Sequence, residues 1–251
     1  MKISTEGLII KEQNIGEQDK LVTVLTKSHG VIRAFAKNVK NIKRSKCAAV
    51  SLLCYSRIDI YQTRESYIIS GAEVIDMFIK LRNDIANMSL AQYFCELAYS
   101  ICPHEQPAEE SLSVILNGLF LLAENKKPRL LIKACVETRL LCLCGYMPDL
   151  VMCHKCGKYE SDGMVFVPQK GILYCDKCYE SGKEDYISGY CMDMTVVTAL
   201  RYMIYSSSKR LFSFMINEER LYLLNEITET FVRCTIGKEF KTLHFYYTIN
   251  N

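Results

Sequence analysis

The chain has 251 residues, 49% hydrophobic and 24% charged, which supplies apolar material for more than one core and excludes a disordered polypeptide. No run approaches the roughly 18 to 20 uncharged apolar residues that a membrane helix needs, and the opening Met1-Lys2-Ile3-Ser4-Thr5-Glu6 is not a signal peptide, so a cytoplasmic protein is expected. The net charge of +3 is uneven: residues 1–80 hold 13 Lys or Arg against 8 Asp or Glu, the remainder 18 against 20, so a basic head on a near-neutral body points to a polyanionic partner.

From Glu6 to about Ala72 the chain reads as short strands at residues 7–10, 20–26, 31–36, 51–61 and 67–71, separated by turn residues. Arg57-Ile58-Asp59-Ile60-Tyr61 alternates, so Ile58 and Ile60 face a core while Arg57, Asp59 and Tyr61 face away. Ser28-His29-Gly30 joins two strands as a tight hairpin. About five strands in so short a stretch fit a small closed barrel, and an OB-type barrel is the commonest such form that binds nucleic acid.

After Glu73 the apolar period becomes helical. Ile85, Met88, Ala91, Phe94, Cys95, Ala98 and Ile101 fall at three- and four-residue steps, and Leu112, Ile115, Leu116, Leu119 and Ala123 repeat the pattern behind Ser111 as N-cap. A third helix runs from about Arg129 to Cys144, with Gly145 at the left-handed C′ position and Pro148 barring continuation. Residues 150–182 lose this pattern and form a small inserted module. Helical spacing returns at Val196, Val197, Leu200, Met203 and Ile204, then at Leu221, Leu224, Thr228 and Phe231 behind Asn217, ending near Gly237. The expected fold is α+β: an OB-type barrel over residues 1–79, a helical domain over 80–150 and 183–251, and a zinc-binding insert over 151–182.

Of the thirteen cysteines, Cys95, Cys135, Cys142 and Cys234 sit at helix-like apolar positions where a thiol packs as a small hydrophobe, consistent with a reducing compartment. Cys153, Cys156, Cys175 and Cys178 form C-x2-C-x18-C-x2-C, the spacing of a zinc ribbon, so one structural Zn2+ is expected there. Lys155, Lys158 and Lys177 favour the thiolate state, and Gly157 lets the chain bend after the second ligand. A redox CxxC lacks its βαβ frame here, and an all-cysteine sphere leaves no position for a catalytic water. His154, adjacent to Cys153, reads as a surface residue.

Arg33, Lys37, Lys40, Lys43, Arg44 and Lys46 lie within fourteen residues that hold no acidic side chain. Such a run is either a solvated loop or a DNA-binding segment. It leaves a barrel strand, and Tyr55 and Tyr61 stand beside Arg57, so cations for phosphates and aromatic faces for bases are close together, as single-strand binding requires.

The head Glu6-Gly7-Leu8-Ile9-Ile10-Lys11, Gly16-Glu17-Gln18-Asp19-Lys20-Leu21, Thr26-Lys27-Ser28-His29-Gly30 and Ala36-Lys37 resembles the N-terminal barrel of the RecO family of bacterial recombination mediators. Glu137-Thr138-Arg139-Leu140-Leu141, Gly145-Tyr146-Met147-Pro148-Asp149-Leu150, Gly171-Ile172-Leu173-Tyr174-Cys175 and the closing Gly237-Lys238-Glu239-Phe240-Lys241-Thr242-Leu243 are similar to its later motifs. The basic turn after Ala36-Lys37 lacks the family's glycine and reads Asn38-Val39-Lys40-Asn41. The resemblance implies a non-enzyme that binds single- and double-stranded DNA, anneals complementary strands, and with RecR, sometimes also RecF, helps RecA displace single-strand binding protein. It implies a cytoplasmic, nucleoid-associated place in DNA repair and recombination. Two other readings stand beside it. A hydrolase or nuclease lacks paired carboxylates near His, an HExxH and a phosphate-cradling glycine loop; a zinc-ribbon protein adaptor would show no salt-dependent DNA binding.

Overall fold

The computed structural model describes residues 2–37, 44–63, 66–181 and 188–250, with 44–46 in backbone only. Five strands, β1 (Lys2–Ile15), β2 (Asp19–Thr26), β3 (Gly30–Ala36), β4 (Tyr55–Gln62) and β5 (Tyr67–Asp76), close into a barrel in the order β1-β2-β3-β5-β4. The β3–β5 pair is parallel and the others antiparallel, giving the OB-type barrel that the strand spacing predicts. β1 is far longer than its apolar run because it serves two neighbours: residues 2–8 pair with β4 and residues 7–15 with β2. The two registers overlap at Gly7 and Leu8, and at Gly7 an added Cβ would stand 2.6 Å from Val24 Cγ1 and 2.9 Å from the Leu25 carbonyl oxygen.

Inside the barrel, Ile3, Ile9, Val22, Val24, Ile32, Ala34, Ile58, Ile60 and Ile69 form one cluster, joined by Val50 and Cys54. Helix α1 (Arg44–Ala49) packs on it through Cys47. The outward side chains are treated in two ways. Leu8, Leu25 and Val31, which pair across β1, β2 and β3, are fully buried although they point away from the interior. They lie under helices α2 (Ile85–Ile101) and α3 (Glu109–Ala123), and the segment between those helices is tied to the barrel by Val31 N–H to the Pro103 carbonyl (2.9 Å) and Ala108 N–H to that of Lys27 (3.1 Å). The last helix, α8 (Lys241–Asn250), returns to α2: Ser89 Oγ donates to the Thr242 carbonyl at 3.1 Å, and Thr242 Oγ1 to Glu96 Oε2 at 2.7 Å.

One compact unit therefore comprises Met1–Lys126 with Phe240–Asn251, and Lys127–Glu239 forms the second. The period change near residue 80 marks where strands stop. The compact boundary falls elsewhere because the apolar row on the barrel's outside requires helices to cover it. α3 begins behind Ala108 without a side-chain cap, and Ser111 is buried inside the helix, so the cap expected there does not form; Glu109 and Glu110 supply negative charge to the first turn instead.

In the second unit, α4 (Arg129–Leu143) packs on α7 (Glu218–Ile236), with α6 (Met194–Tyr205) beside both. The α4–α7 seam encloses an ion network: Lys133 Nζ lies 3.0 Å from Glu137 Oε1 and 2.9 Å from Glu229 Oε2, and Thr228 Oγ1 donates to Glu137 Oε2 at 2.7 Å. Lys133 and Glu137 are wholly buried. α6 is capped by Asp193, which accepts from Thr195 and Val196 N–H, and α7 by Asn217. Gly145 and Gly237 take the left-handed conformation at the expected helix ends. Cys95 and Cys135 fill the cores as the sequence predicts, and burial pushes the Cys95 thiol up to about 12. Cys142 is half-buried and Cys234 exposed, so the latter is no core residue. No helix among the described residues is long and apolar enough to cross a membrane.

Candidate metal centre and nucleic-acid interface

Residues 149–192 form a module around a three-stranded sheet ordered β7-β6-β8, made of β6 (Met164–Val167), β7 (Ile172–Cys175) and β8 (Tyr190–Met192). Its third strand thus comes from beyond residue 182, where the sequence ends the insert; three residues are too few to show a strand period. Cys153, Cys156, Cys175 and Cys178 converge with all four Sγ atoms within 4.8 Å of one another. In the first knuckle Cys153 N–H bonds the Lys158 carbonyl (2.8 Å), Gly157 N–H bonds that of Cys153 (2.9 Å), and Gly157 has φ +71°. His154 N–H reaches the Leu173 carbonyl at 2.7 Å and hangs the knuckle on β7. The second knuckle is the junction of β7 with helix α5 (Asp176–Glu180): Cys175 ends the strand and Cys178 sits one helical turn on.

The quartet fits a metal ion on two counts. A thiolate tetrahedron with metal–sulfur bonds of about 2.3 Å has edges of about 3.8 Å, and Cys156 Sγ stands 3.8 Å from Cys175 Sγ. The electrostatics also call for a cation. Burial opposes ionisation of Cys153, but the backbone N–H groups around Cys175, Cys156 and Lys155 outweigh it and bring its pKa down to about 6. The Cys175 and Cys156 sulfurs, burial and the Cys153 sulfur then push Cys178 up to about 12. One negative charge is welcome in the cluster and four need a positive ion among them. His154 is exposed, its ring edge-on to Tyr174, and does not join the quartet.

The module is clamped by Arg201 of α6, which the sequence reading passes over. Its Nε donates to the Leu150 carbonyl at 2.8 Å, and one terminal nitrogen donates to those of Val151 and Tyr159, each at 2.8 Å. Its guanidinium lies 4.1 Å from the centroid of the Tyr159 ring. These contacts bracket the first knuckle on both sides. The signal is present in the sequence: Arg201 stands four residues after Val197 and three before Ile204, within an otherwise apolar stripe. On the other side of the module, Phe166 meets Phe231 edge-on at 5.7 Å, and Tyr190 Oη shares a hydrogen with Thr230 Oγ1 at 2.9 Å.

On the barrel, β3 presents Arg33 and Phe35 outward, while Ile32, Ala34 and Ala36 point inward, and Lys37 follows in the turn just past the strand's end. Arg33 and Lys37 are exposed, and among the described residues neither forms an ion pair. Lys40 and Lys43 lie outside the described residues, and Arg44 and Lys46 fall in α1 with only their backbone described. The aromatic expectation divides. Tyr61 is 53% exposed. Tyr55 is half-buried and its hydroxyl donates to Glu6 Oε2 at 2.8 Å; burial and that bond push it up to about 12, so it is less open than Tyr61 and its hydroxyl is engaged. Arg57 is shared between Glu6 (3.6 Å) and Glu73 (3.8 Å).

Residues 1–78 match the family model described as Recombination protein O N terminal, and residues 82–244 match that of its C terminal. A protein of Acetivibrio thermocellus named DNA repair protein RecO is 31% identical over 248 residues, which cover 99% of this chain and 97% of that protein. Proteins of the same name are 28% identical over 244 residues in Caldicellulosiruptor bescii, covering 97% of each, and 29% identical over 240 residues in Dehalococcoides mccartyi, covering 95% and 92%.

Proposed function

The chain belongs to the RecO family of DNA repair and recombination proteins, and from that premise we propose that it is a recombination mediator that acts by binding and not by covalent catalysis. It binds single- and double-stranded DNA, anneals complementary strands and, with RecR, helps load RecA onto single strands coated by single-strand binding protein; RecF is a further partner. It works in the cytoplasm at the nucleoid. The observation that supports the DNA-binding part lies at the end of β3, where Arg33 on the strand's outer face and Lys37 in the turn that follows stand exposed and without ion pairs among the described residues. Cations so placed neutralise phosphates and release condensed counterions, and the lowered repulsion between two bound strands favours their pairing.

The four-cysteine centre holds one structural Zn2+. Its four thiolates complete a tetrahedral sphere and leave no open position for water or substrate. The metal supplies the positive charge that lets these sulfurs stay together, and with it the fold of residues 149–192.

The test is fluorescence anisotropy on a labelled oligonucleotide across a salt series, followed by annealing of protein-coated strands with and without RecR. About five phosphate contacts on a single strand give a slope of log K against log salt near −3.5. Replacing Arg33 and Lys37 together by glutamate weakens binding and flattens that slope. Absence of any salt-dependent binding would reject the proposal in favour of a zinc-ribbon protein adaptor.

A further inference from the structure

The four-cysteine centre is open on one side. In each knuckle the first cysteine is buried and the second reaches solvent: Cys153 is 1% and Cys175 3% exposed, whereas Cys156 is exposed and Cys178 half-buried. The difference follows from how the knuckles hang on the sheet. Cys175 ends β7 opposite Met164, and His154 N–H, next to Cys153, bonds the Leu173 carbonyl. Cys153 and Cys175 therefore lie against the frame, and Cys156 and Cys178 stand on the solvent side. A centre that only holds a fold together gains nothing from such an opening, because it admits oxidants to the metal-bearing sulfurs.

The surroundings of the most exposed sulfur give the opening a chemistry. All four Sγ atoms lie within 4.8 Å of one another, and that of Cys175 is 3.8 Å from that of Cys156. Lys155 and Lys158 flank Cys156 in the first knuckle and Lys177 stands in the second; all three are exposed, and none forms an ion pair among the described residues. Reactive cysteines occupy partly exposed, electropositive surroundings of this kind, and a second sulfur close by lets oxidation stop at a disulfide. Elsewhere in the chain Cys54, Cys95, Cys102 and Cys135 are buried, and Cys191 and Cys234 are exposed but belong to no comparable cluster among the described residues.

We infer that Cys156 is a peroxide-reactive thiolate whose oxidation turns the metal centre into a disulfide and frees the ion, a reversible redox switch built into residues 149–192. The inference rests on the structural-metal reading above. The Cys156 sulfur attacks one oxygen of hydrogen peroxide; an S–O bond forms, the O–O bond breaks, and hydroxide leaves with the electron pair, giving the sulfenic acid. A neighbouring thiolate of the quartet attacks that sulfur in turn; an S–S bond forms, the S–O bond breaks, and a second hydroxide leaves. Two thiolates have lost two electrons to one peroxide, and solvent protons convert the two hydroxides to water. The new bond draws two sulfurs to about 2 Å and takes both from the metal's coordination sphere. Because Phe166 meets Phe231 and Tyr190 bonds Thr230, loosening of the module reaches α7.

The experiment uses the full zinc-loaded chain carrying Cys191→Ser and Cys234→Ser, which removes two exposed thiols outside the centre. Metal content is measured first. Hydrogen peroxide is then added in small molar excess, with released zinc followed by a chromogenic chelator, sulfenic acid by dimedone and peptide mapping, and stability by thermal melts. About one equivalent of zinc is expected to leave, with the first dimedone adduct on Cys156, a disulfide that includes Cys156 when dimedone is omitted, and a lowered Tm. A thiol reductant with added Zn2+ then restores the original melt. Zinc retained under peroxide, a first adduct on another cysteine, or a melt that reductant and zinc do not restore overturns the switch and leaves the metal reading standing. A chain that holds no zinc before oxidation and takes up none removes both.

Discussion

Replacing Arg201 by alanine removes a side chain that spans the first metal knuckle. The guanidinium makes three hydrogen bonds of 2.8 Å, to the carbonyls of Leu150, Val151 and Tyr159, and stacks on the Tyr159 ring. Bonds from a charged donor contribute roughly 1.5 to 3 kcal/mol each, but they are not additive and part of the loss is recovered. Val151 and Tyr159 are 43% and 55% exposed, so water can replace the guanidinium at their carbonyls, whereas Leu150 is 1% exposed and its carbonyl is left without a donor. A total loss of about 3 to 5 kcal/mol follows. The three acceptors lie within three residues of Cys153 or Cys156, so the bonds hold only while the knuckle keeps its ligating shape. If about 3 kcal/mol of the loss is linked to that shape, Zn2+ affinity falls by about two orders of magnitude. The assay is competition against a chromogenic chelator at neutral pH, with thermal melts of loaded and metal-stripped protein. Arg201→Lys keeps the charge but cannot reach three carbonyls from one planar fork, so it should behave more like alanine than like the native residue. Metal affinity within about threefold of native, with equal destabilisation of loaded and stripped protein, would refute the reasoning and leave Arg201 a packing strut indifferent to the metal.

Lys133→Met removes the ammonium that Glu137 and Glu229 share in the α4–α7 seam. The expected cost is about 3 to 5 kcal/mol by urea unfolding, with partial recovery when Glu137→Gln is added; a loss under about 1 kcal/mol would show that the seam tolerates the charges. Gly7→Ala forces a methyl carbon against Val24 Cγ1 and the Leu25 carbonyl. It should cost about 1 to 3 kcal/mol, read as a lowered urea midpoint, and an unchanged midpoint would mean the overlap of the two β1 registers can widen freely. Asp193 is held below the usual carboxylate range: partial burial works against this, but the Val196 N–H, the Arg220 side chain and the Thr195 N–H prevail. Because its folded pKa is depressed, its stabilisation is complete above the unfolded value of about 3.9 and is lost as pH falls through the folded one. Asp193→Asn should therefore be less stable than native at pH 7 by roughly 0.5 to 1 kcal/mol, the range of a solvent-screened pair, and the gap should close toward pH 3; a gap independent of pH would remove the ion pair from the account.

Much of this protein is fixed by local chemistry. Two CxxC knuckles with Gly157 between them specify a four-sulfur site before any tertiary contact forms, because each turn presents its own pair of thiols. Alternation at Ile58 and Ile60 specifies an inward face, and Asn217 and Gly237 specify the ends of a helix, because strand pleat and helix caps depend on neighbours a few residues away. The four-residue apolar run at Gly7 to Ile10 could not announce a fourteen-residue strand, since the rest of β1 is held by pairing with β2 and β4.

Only the tertiary structure decided which apolar residues on the barrel's outside are covered and which are left open. Leu8, Leu25 and Val31 look no different in sequence from Leu21, Phe35 and Ile68; α2, α3 and the segment between them bury the first three, whereas the other three stay half-buried. The same holds for Arg201 and Lys133, charged residues in apolar stripes whose partners are 42 to 51 and up to 96 positions away. Periodicity reports the face on which a side chain lies, whereas the group that meets it there is set by how distant segments pack.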